Sequence, residues 1–146
     1  MEPLKNGVVN IVHEGKQVPE NEVAIILTVK RIGRTSAAGA LDFGGSEYKQ
    51  ADVEWFEPQK KQEDDKYGWW NLTSGDYVVE YNESVHPAEG QRFHFQIWPP
   101  ALYNGVTHPS EVIASSRDPL RSSIRVGAAG ADIKENARVS VVTPLG

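Results

Sequence analysis

Gly68-Trp69-Trp70-Asn71-Leu72-Thr73-Ser74-Gly75-Asp76-Tyr77-Val78-Val79-Glu80-Tyr81-Asn82 places two short runs of aromatic and β-branched residues on either side of a Ser-Gly-Asp reversal. Such side chains fit a pleated, half-buried surface, and serine, glycine and aspartate accept the backbone angles of a turn. The stretch therefore reads as two strands joined by a turn. A second reversal, Pro87-Ala88-Glu89-Gly90, leads into Arg92-Phe93-His94-Phe95-Gln96-Ile97-Trp98. Phe93, Phe95 and Ile97 alternate there with polar partners, the period-two signature of a strand with one wet face. Pro99-Pro100 ends it, because neither residue can donate to a sheet ladder.

The same grammar extends in both directions. Upstream, Gly7 to Val12 reads as a short strand and Glu22 to Ile32 as a longer one, whose Val23-Ala24-Ile25-Ile26-Leu27 run is expected to be buried on both faces. Small residues dominate from Gly33 to Gly45 and charges from Tyr48 to Tyr67. An exposed excursion is expected over residues 47–67, anchored to the core through Trp55 and Phe56. Downstream, Glu111 to Ile113, Ser123 to Val126 and Arg138 to Val142 read as further strands, with at most one helical turn near Ala101 to Asn104. Many short strands joined by turns predict an all-β fold, a distorted barrel built as one domain over residues 1–146.

Composition narrows the function classes. The formal net charge of -5 offers no global positive field for a phosphate backbone or an anionic membrane, so neither nucleic acid nor a lipid surface is an expected partner. The absence of cysteine removes disulfides, thiolate metal sites and cysteine nucleophiles, and suits a reducing compartment. No run approaches the roughly 18 apolar residues of a membrane span, and Met1 to Asn10 lacks a leader pattern, so a cytoplasmic protein is expected.

The order of several pieces carries a resemblance. Trp70 to Val79, then Tyr81-Asn82-Glu83, then Pro87-Ala88-Glu89-Gly90 is similar to the middle of archaeal dUTPases and dCTP deaminases, where an aromatic strand, a Gly turn and an Asn-Glu hairpin follow in that order. Leu27-Thr28-Val29-Lys30 resembles the family's early strand, Gly39-Ala40-Leu41-Asp42-Phe43 its following excursion, and Ala131-Asp132-Ile133-Lys134-Glu135-Asn136-Ala137-Arg138-Val139 its late strand. The match runs from about Leu27 onward. The resemblance implies a β-clip fold, a homotrimer with sites between subunits, a deoxynucleoside triphosphate ligand and Mg2+ on its phosphates.

Where that family keeps its chemistry, this chain holds inert side chains. Water activation needs a proton acceptor, and a triphosphate needs cationic or hydroxyl donors. Counting back from Asn104-Gly105, the family's Arg-Ser-Ser grip falls on Trp98, Pro99 and Pro100. The catalytic aspartate of its "Val-Ile-Asp" stretch falls on Ala114 after Val112-Ile113, and the early carboxylate on Ile26. No catalytic residue is expected from the resemblance. One passage offers a relocated site: Arg121, Ser122 and Ser123 as phosphate ligands, with Asp118 as fallback carboxylate or Asp132 in its place, although the spacing leaves no room for the intervening hairpin.

The remaining chemistry-bearing residues read as structural. His13, His86, His94 and His108 lack metal-ligand spacing, so no metal site is expected, and Trp69-Trp70 reads as packing in preference to a base-stacking platform. The expectation is a dUTPase/dCTP deaminase-like pseudoenzyme acting as a nucleotide-binding, regulatory or assembly module, without a cofactor. The alternatives are an active dUTP diphosphatase or dCTP deaminase with Mg2+ and the relocated site, and a purely structural or protein-interaction β module.

Overall fold

The computed structural model describes residues 8–9 and 24–145. Its spine is β2 (Ile25–Thr35), which pairs along its first part with β12 (Arg138–Leu145), in its middle with β5 (Gly75–Tyr81) and at its end with β3 (Val53–Trp55), always antiparallel. Around that spine the sheet runs β8 (Val106–Thr107), β10 (Arg121–Val126), β5, β2, β12, β7 (Arg92–Ile97), β9 (Glu111–Ile113). Two small ribbons complete the strands: β4 (Trp69–Leu72) with β11 (Ala131–Lys134), and β1 (Val8–Val9) with β6 (Ser84–Val85). The helix α1 (Pro99–Tyr103) follows β7 directly.

Alternation decides which side chains meet. On β7, Phe93 and Phe95 are buried while His94 and Gln96 are only partly covered, as the period-two pattern predicts. They pack into one core with Ile25, Leu27, Val29, Val79, Ile113 and Val142. Phe56 packs against that core from outside, edge-on to Tyr77. Trp55 lies beneath the guanidinium of Arg31, 3.9 Å from its ring centroid.

Three expectations are corrected. The Val23 to Leu27 run is not buried on both faces: Ala24 is exposed and Ile26 half-covered, so the described part alternates like an ordinary one-sided strand, and Val23 lies outside the described residues. Ala131 to Val139 is not one strand, because Asn136 adopts φ 68° and turns the chain between β11 and β12; asparagine tolerates that left-handed conformation better than other non-glycine residues. The helical turn begins at Pro99 and not at Ala101. Of the strand read over Gly7 to Val12, Val8–Val9 forms β1 and the rest lies outside the described residues.

Candidate functional site

The junction of β7 and α1 is dictated by proline. Trp98, which precedes a proline, is held extended at φ -74° and ψ 130°, while Pro99 and Pro100 carry ring-fixed φ angles suited to the first helical positions. A helix start normally presents N–H groups without intrahelical partners, which makes it an anion cradle. Here the first two positions have no N–H, and the next two donors, from Ala101 and Leu102, both go to the Trp98 carbonyl at 2.9 and 3.2 Å. The helix closes at Asn104, whose side-chain amide donates to the Pro100 carbonyl at 2.8 Å.

Beside this turn lies a cavity of about 410 Å3, walled on one side by Trp98, Pro100, Ala101, Asn104 and Val106 and on the other by Ala129 to Ile133 and Ala137 to Val139. Its far wall depends on Gly130, which has φ 76° and sits where a Cβ would stand 2.6 Å from the Leu72 carbonyl oxygen. Only glycine lets the chain pass so close to β4. The lining is mixed, with apolar side chains such as Pro100, Val106 and Val139 beside the polar groups of Asn104, Asp132 and Arg138. Arg138, exposed, places its guanidinium 6.0 Å from the Trp98 ring centroid at the mouth. Asp132 is the carboxylate in the lining, and its Oδ1 accepts from the Asn71 amide at 2.7 Å. One carboxylate already hydrogen-bonded to an amide does not make a Mg2+ site, since that ion requires several oxygen ligands in octahedral array. Among the described residues no group of three or more His, Asp or Glu could hold a metal ion, and no helix is long and apolar enough to cross a membrane.

The residues singled out in the sequence are spread over the molecule. Trp98 and Pro100 line the cavity; Ala114 is exposed just past β9; Ile26 is half-covered on β2, opposite Val141. Consecutive strand residues point to opposite faces, and β10 obeys this. Arg121 turns to Glu80, with Nε and Nη2 each 2.9 Å from its Oε1, whereas Ser122 hydrogen-bonds the Tyr81 hydroxyl at 2.7 Å on the other face, and Ser123 is exposed. Asp118 is exposed and precedes a cis peptide bond to Pro119. Glu80 also accepts a bidentate pair from Arg31 at 3.0 Å and has Lys30 at 3.7 Å. Burial alone would raise its carboxyl, but hydrogen bonds from Arg31 and Arg121, followed by their charges, outweigh that and hold it below the ordinary value.

Trp69 and Trp70 part company. Trp70 is buried and donates its indole N–H to the Phe56 carbonyl at 2.9 Å, a packing role. Trp69 is only partly covered, with the Lys61 ammonium 4.0 Å from its ring centroid and that of Lys134 at 5.6 Å.

Two buried polar networks were not foreseen. In the first, Ser122, Tyr81, Ser140 and His108 form a chain of 2.7 Å hydrogen bonds. His108 Nδ1 faces the Pro109 carbonyl at 2.9 Å and so carries the proton, which assigns the order: Ser140 donates to Nε2, Tyr81 to Ser140, Ser122 to Tyr81. Burial lowers the pKa of His108 and pushes that of the Tyr81 hydroxyl up to about 12, so both stay neutral. The Ser140–His108 pair has the spacing of a nucleophile and its base. Ser140 is nevertheless 0% exposed and does not line the cavity, so the pair serves to tie β12 to β5 and to the segment after β8. The sequence signals were a serine inside the apolar run Val139 to Val142 and a histidine just after Val106-Thr107. In the second network, Glu83, 1% exposed, accepts from the Thr28 N–H and the Thr28 hydroxyl, both at 2.7 Å, while Asn82 links Thr28 to Asn136.

The chain is similar to 2'-deoxycytidine 5'-triphosphate deaminase from Agrobacterium tumefaciens, with a TM-score of 0.59 at 11% sequence identity, over 96% of this chain and 44% of that one. It shares the fold of a dCTP deaminase. The all-β, dUTPase-like architecture expected from the resemblance is therefore the one the chain adopts. At such low identity the likeness speaks for the fold alone, and the chain spans less than half the length of that deaminase. No protein-family model and no curated protein matches the sequence.

Proposed function

We propose that this chain is a single-domain, non-catalytic dUTPase-like protein of the cytoplasm that works as an assembly or regulatory module, most simply as a homotrimer. One observation carries the reading. The turn between β7 and α1, where the resemblance locates the phosphate grip, has two prolines without N–H groups, two following N–H donors already given to Trp98, and no hydroxyl or cation at its first three positions. A polyanion there would lose its water and gain no donor in return. Ala114, the position that the resemblance gives to the proton acceptor, has no side chain able to accept one.

The assignment of Arg121 and Ser122 to Glu80 and Tyr81 weakens the alternative with a relocated site. Binding phosphate through Nε and Nη2 would take both of these Arg121 contacts from Glu80 and leave that buried carboxylate to Arg31 and Lys30. The fold-sharing deaminase offers the architecture on which an enzyme can be built, but function resides in the site.

The test is turnover with dUTP and dCTP in Mg2+, following pyrophosphate and ammonia release, together with light scattering for mass. The expected result is no product above buffer and a particle of three times the 16.1 kDa chain. Steady product release would reject the non-catalytic reading, and a monomer at every concentration would reject assembly.

A further inference from the structure

Between β2 and β3 the chain leaves the body as an arm. Ser36 donates to the Asp52 carbonyl at 2.8 Å, and Ala40 and Lys49 exchange backbone hydrogen bonds at 2.8 and 2.9 Å, so the two limbs form a ribbon. They run so close that a Cβ on Gly39 would stand 2.6 Å from the Lys49 carbonyl oxygen. The tip is ordered by Asp42, whose two carboxylate oxygens accept the N–H groups of Gly45 at 2.9 Å and Glu47 at 2.7 Å. This turn holds two large apolar side chains outward, Leu41 at 91% and Phe43 at 108% exposure, with Tyr48 at 55%. Among the described residues nothing lies within 4 Å of where a Cβ would stand on Gly44 or Gly45, so the turn is open on that side too. A stiff ribbon ending in bare apolar residues is unfavourable in water and loses little entropy when it docks.

The same chain carries a cavity large enough to receive that tip. The cavity beside α1 presents apolar side chains, Pro100, Val106 and Val139, among polar ones, Asn104, Asp132 and Arg138, and its 410 Å3 exceeds the roughly 150 Å3 that suffices for a benzene ring. On the same helix Leu102 and Tyr103 are 46% and 82% exposed. Charge agrees as well: Arg138 stands at the mouth, and the tip carries Glu47 beside Asp42.

We infer that Phe43, with Leu41 beside it, inserts into the cavity between Trp98 and Ala129 of a second copy of this chain, with Glu47 meeting Arg138 at the rim. Arm and cavity are different surfaces of one molecule, so the contact is head-to-tail, and it closes a ring when the rotation between copies permits. This rests on the assembly reading above and supplies its contact. It does not require a nucleotide.

The experiment uses the full chain and two surface substitutions. Phe43→Asp removes the apolar tip, and Ala129→Trp fills the cavity from an exposed position. Each is expected to weaken self-association by roughly 10- to 100-fold in sedimentation equilibrium, with an unchanged far-UV spectrum and urea midpoint. Mixing the two is expected to restore one contact and yield a heterodimer, since one variant keeps its cavity and the other its arm. Because the chain has no native cysteine, Phe43→Cys and Ala131→Cys copies mixed under mild oxidation should form a mixed dimer selectively. Unchanged assembly of Phe43→Asp, or loss in both variants without recovery on mixing, overturns the inference. Equal amounts of like-with-like and mixed dimers, or docking of the arm on another protein alone, overturn it as well. A trimer that survives Phe43→Asp sinks this contact and leaves the non-catalytic reading standing, whereas dUTP turnover sinks that reading and leaves the contact.

Discussion

Replacing Glu83 with glutamine should remove a pH dependence of stability that the native chain carries between about pH 4.5 and about pH 7. Among the described residues Glu83 has no cationic partner; burial raises its carboxyl, and the hydrogen bonds from the Thr28 backbone and hydroxyl offset this only in part, leaving it at about 7 against an ordinary 4.5. The folded protein therefore keeps a proton that the unfolded chain releases over that interval. Stability from this group is fully present below about pH 4.5, falls as pH rises to about 7, and is flat above, a total of about 3 kcal/mol. In Glu83→Gln the amide oxygen can accept the Thr28 N–H and the amide nitrogen can donate to the Thr28 hydroxyl, so the site stays filled without a titrating group. Urea unfolding of both proteins between about pH 4 and about pH 8 gives the comparison, and the native-minus-variant stability should fall by about 3 kcal/mol with rising pH. Glu80 is present in both proteins and cancels. Parallel curves would refute the reasoning, because they would mean that the buried carboxyl ionises as easily in the fold as in water.

Three further outcomes are expected. Ser140→Ala leaves His108 Nε2 and the Tyr81 hydroxyl without their buried partner and should cost about 2 kcal/mol in urea unfolding; a loss below about 0.5 kcal/mol would show that the chain rearranges freely. Gly33→Ala would bring a Cβ to 2.2 Å from the Glu54 carbonyl oxygen, so it should prise β3 from β2 and speed proteolysis within residues 47–67, and an unchanged cleavage rate would argue otherwise. Glu80→Ala sets Arg31 and Arg121 side by side without their shared anion. It should cost about 1–3 kcal/mol after allowing for the partial exposure of both arginines, which double-mutant cycles with Arg121→Ala would measure.

Much of the strand pattern could be read from neighbouring residues. The alternation of Phe93 and Phe95 with His94 and Gln96 identified β7, and Pro99-Pro100 marked its end, because both signals act within a few residues of the backbone they constrain. The same locality explains the misreadings. Ala131 to Val139 looks continuous until Asn136 takes a positive φ, an option its side chain permits but does not compel. The burial of Ile26 was overestimated because apolar character alone does not say whether a second layer covers a strand.

At the candidate site the division is sharper. That Trp98, Pro99, Pro100 and Ala114 cannot grip phosphate or accept a proton follows from their covalent chemistry, whatever the fold. The cavity between α1 and the 129–139 segment, the pairing of Arg121 with Glu80 and the burial of Glu83 against Thr28 join residues up to 55 positions apart. Such meetings arise from strand register and from where a turn redirects the chain. Both are set by the packing of the whole core, and so they lie beyond any window of local sequence.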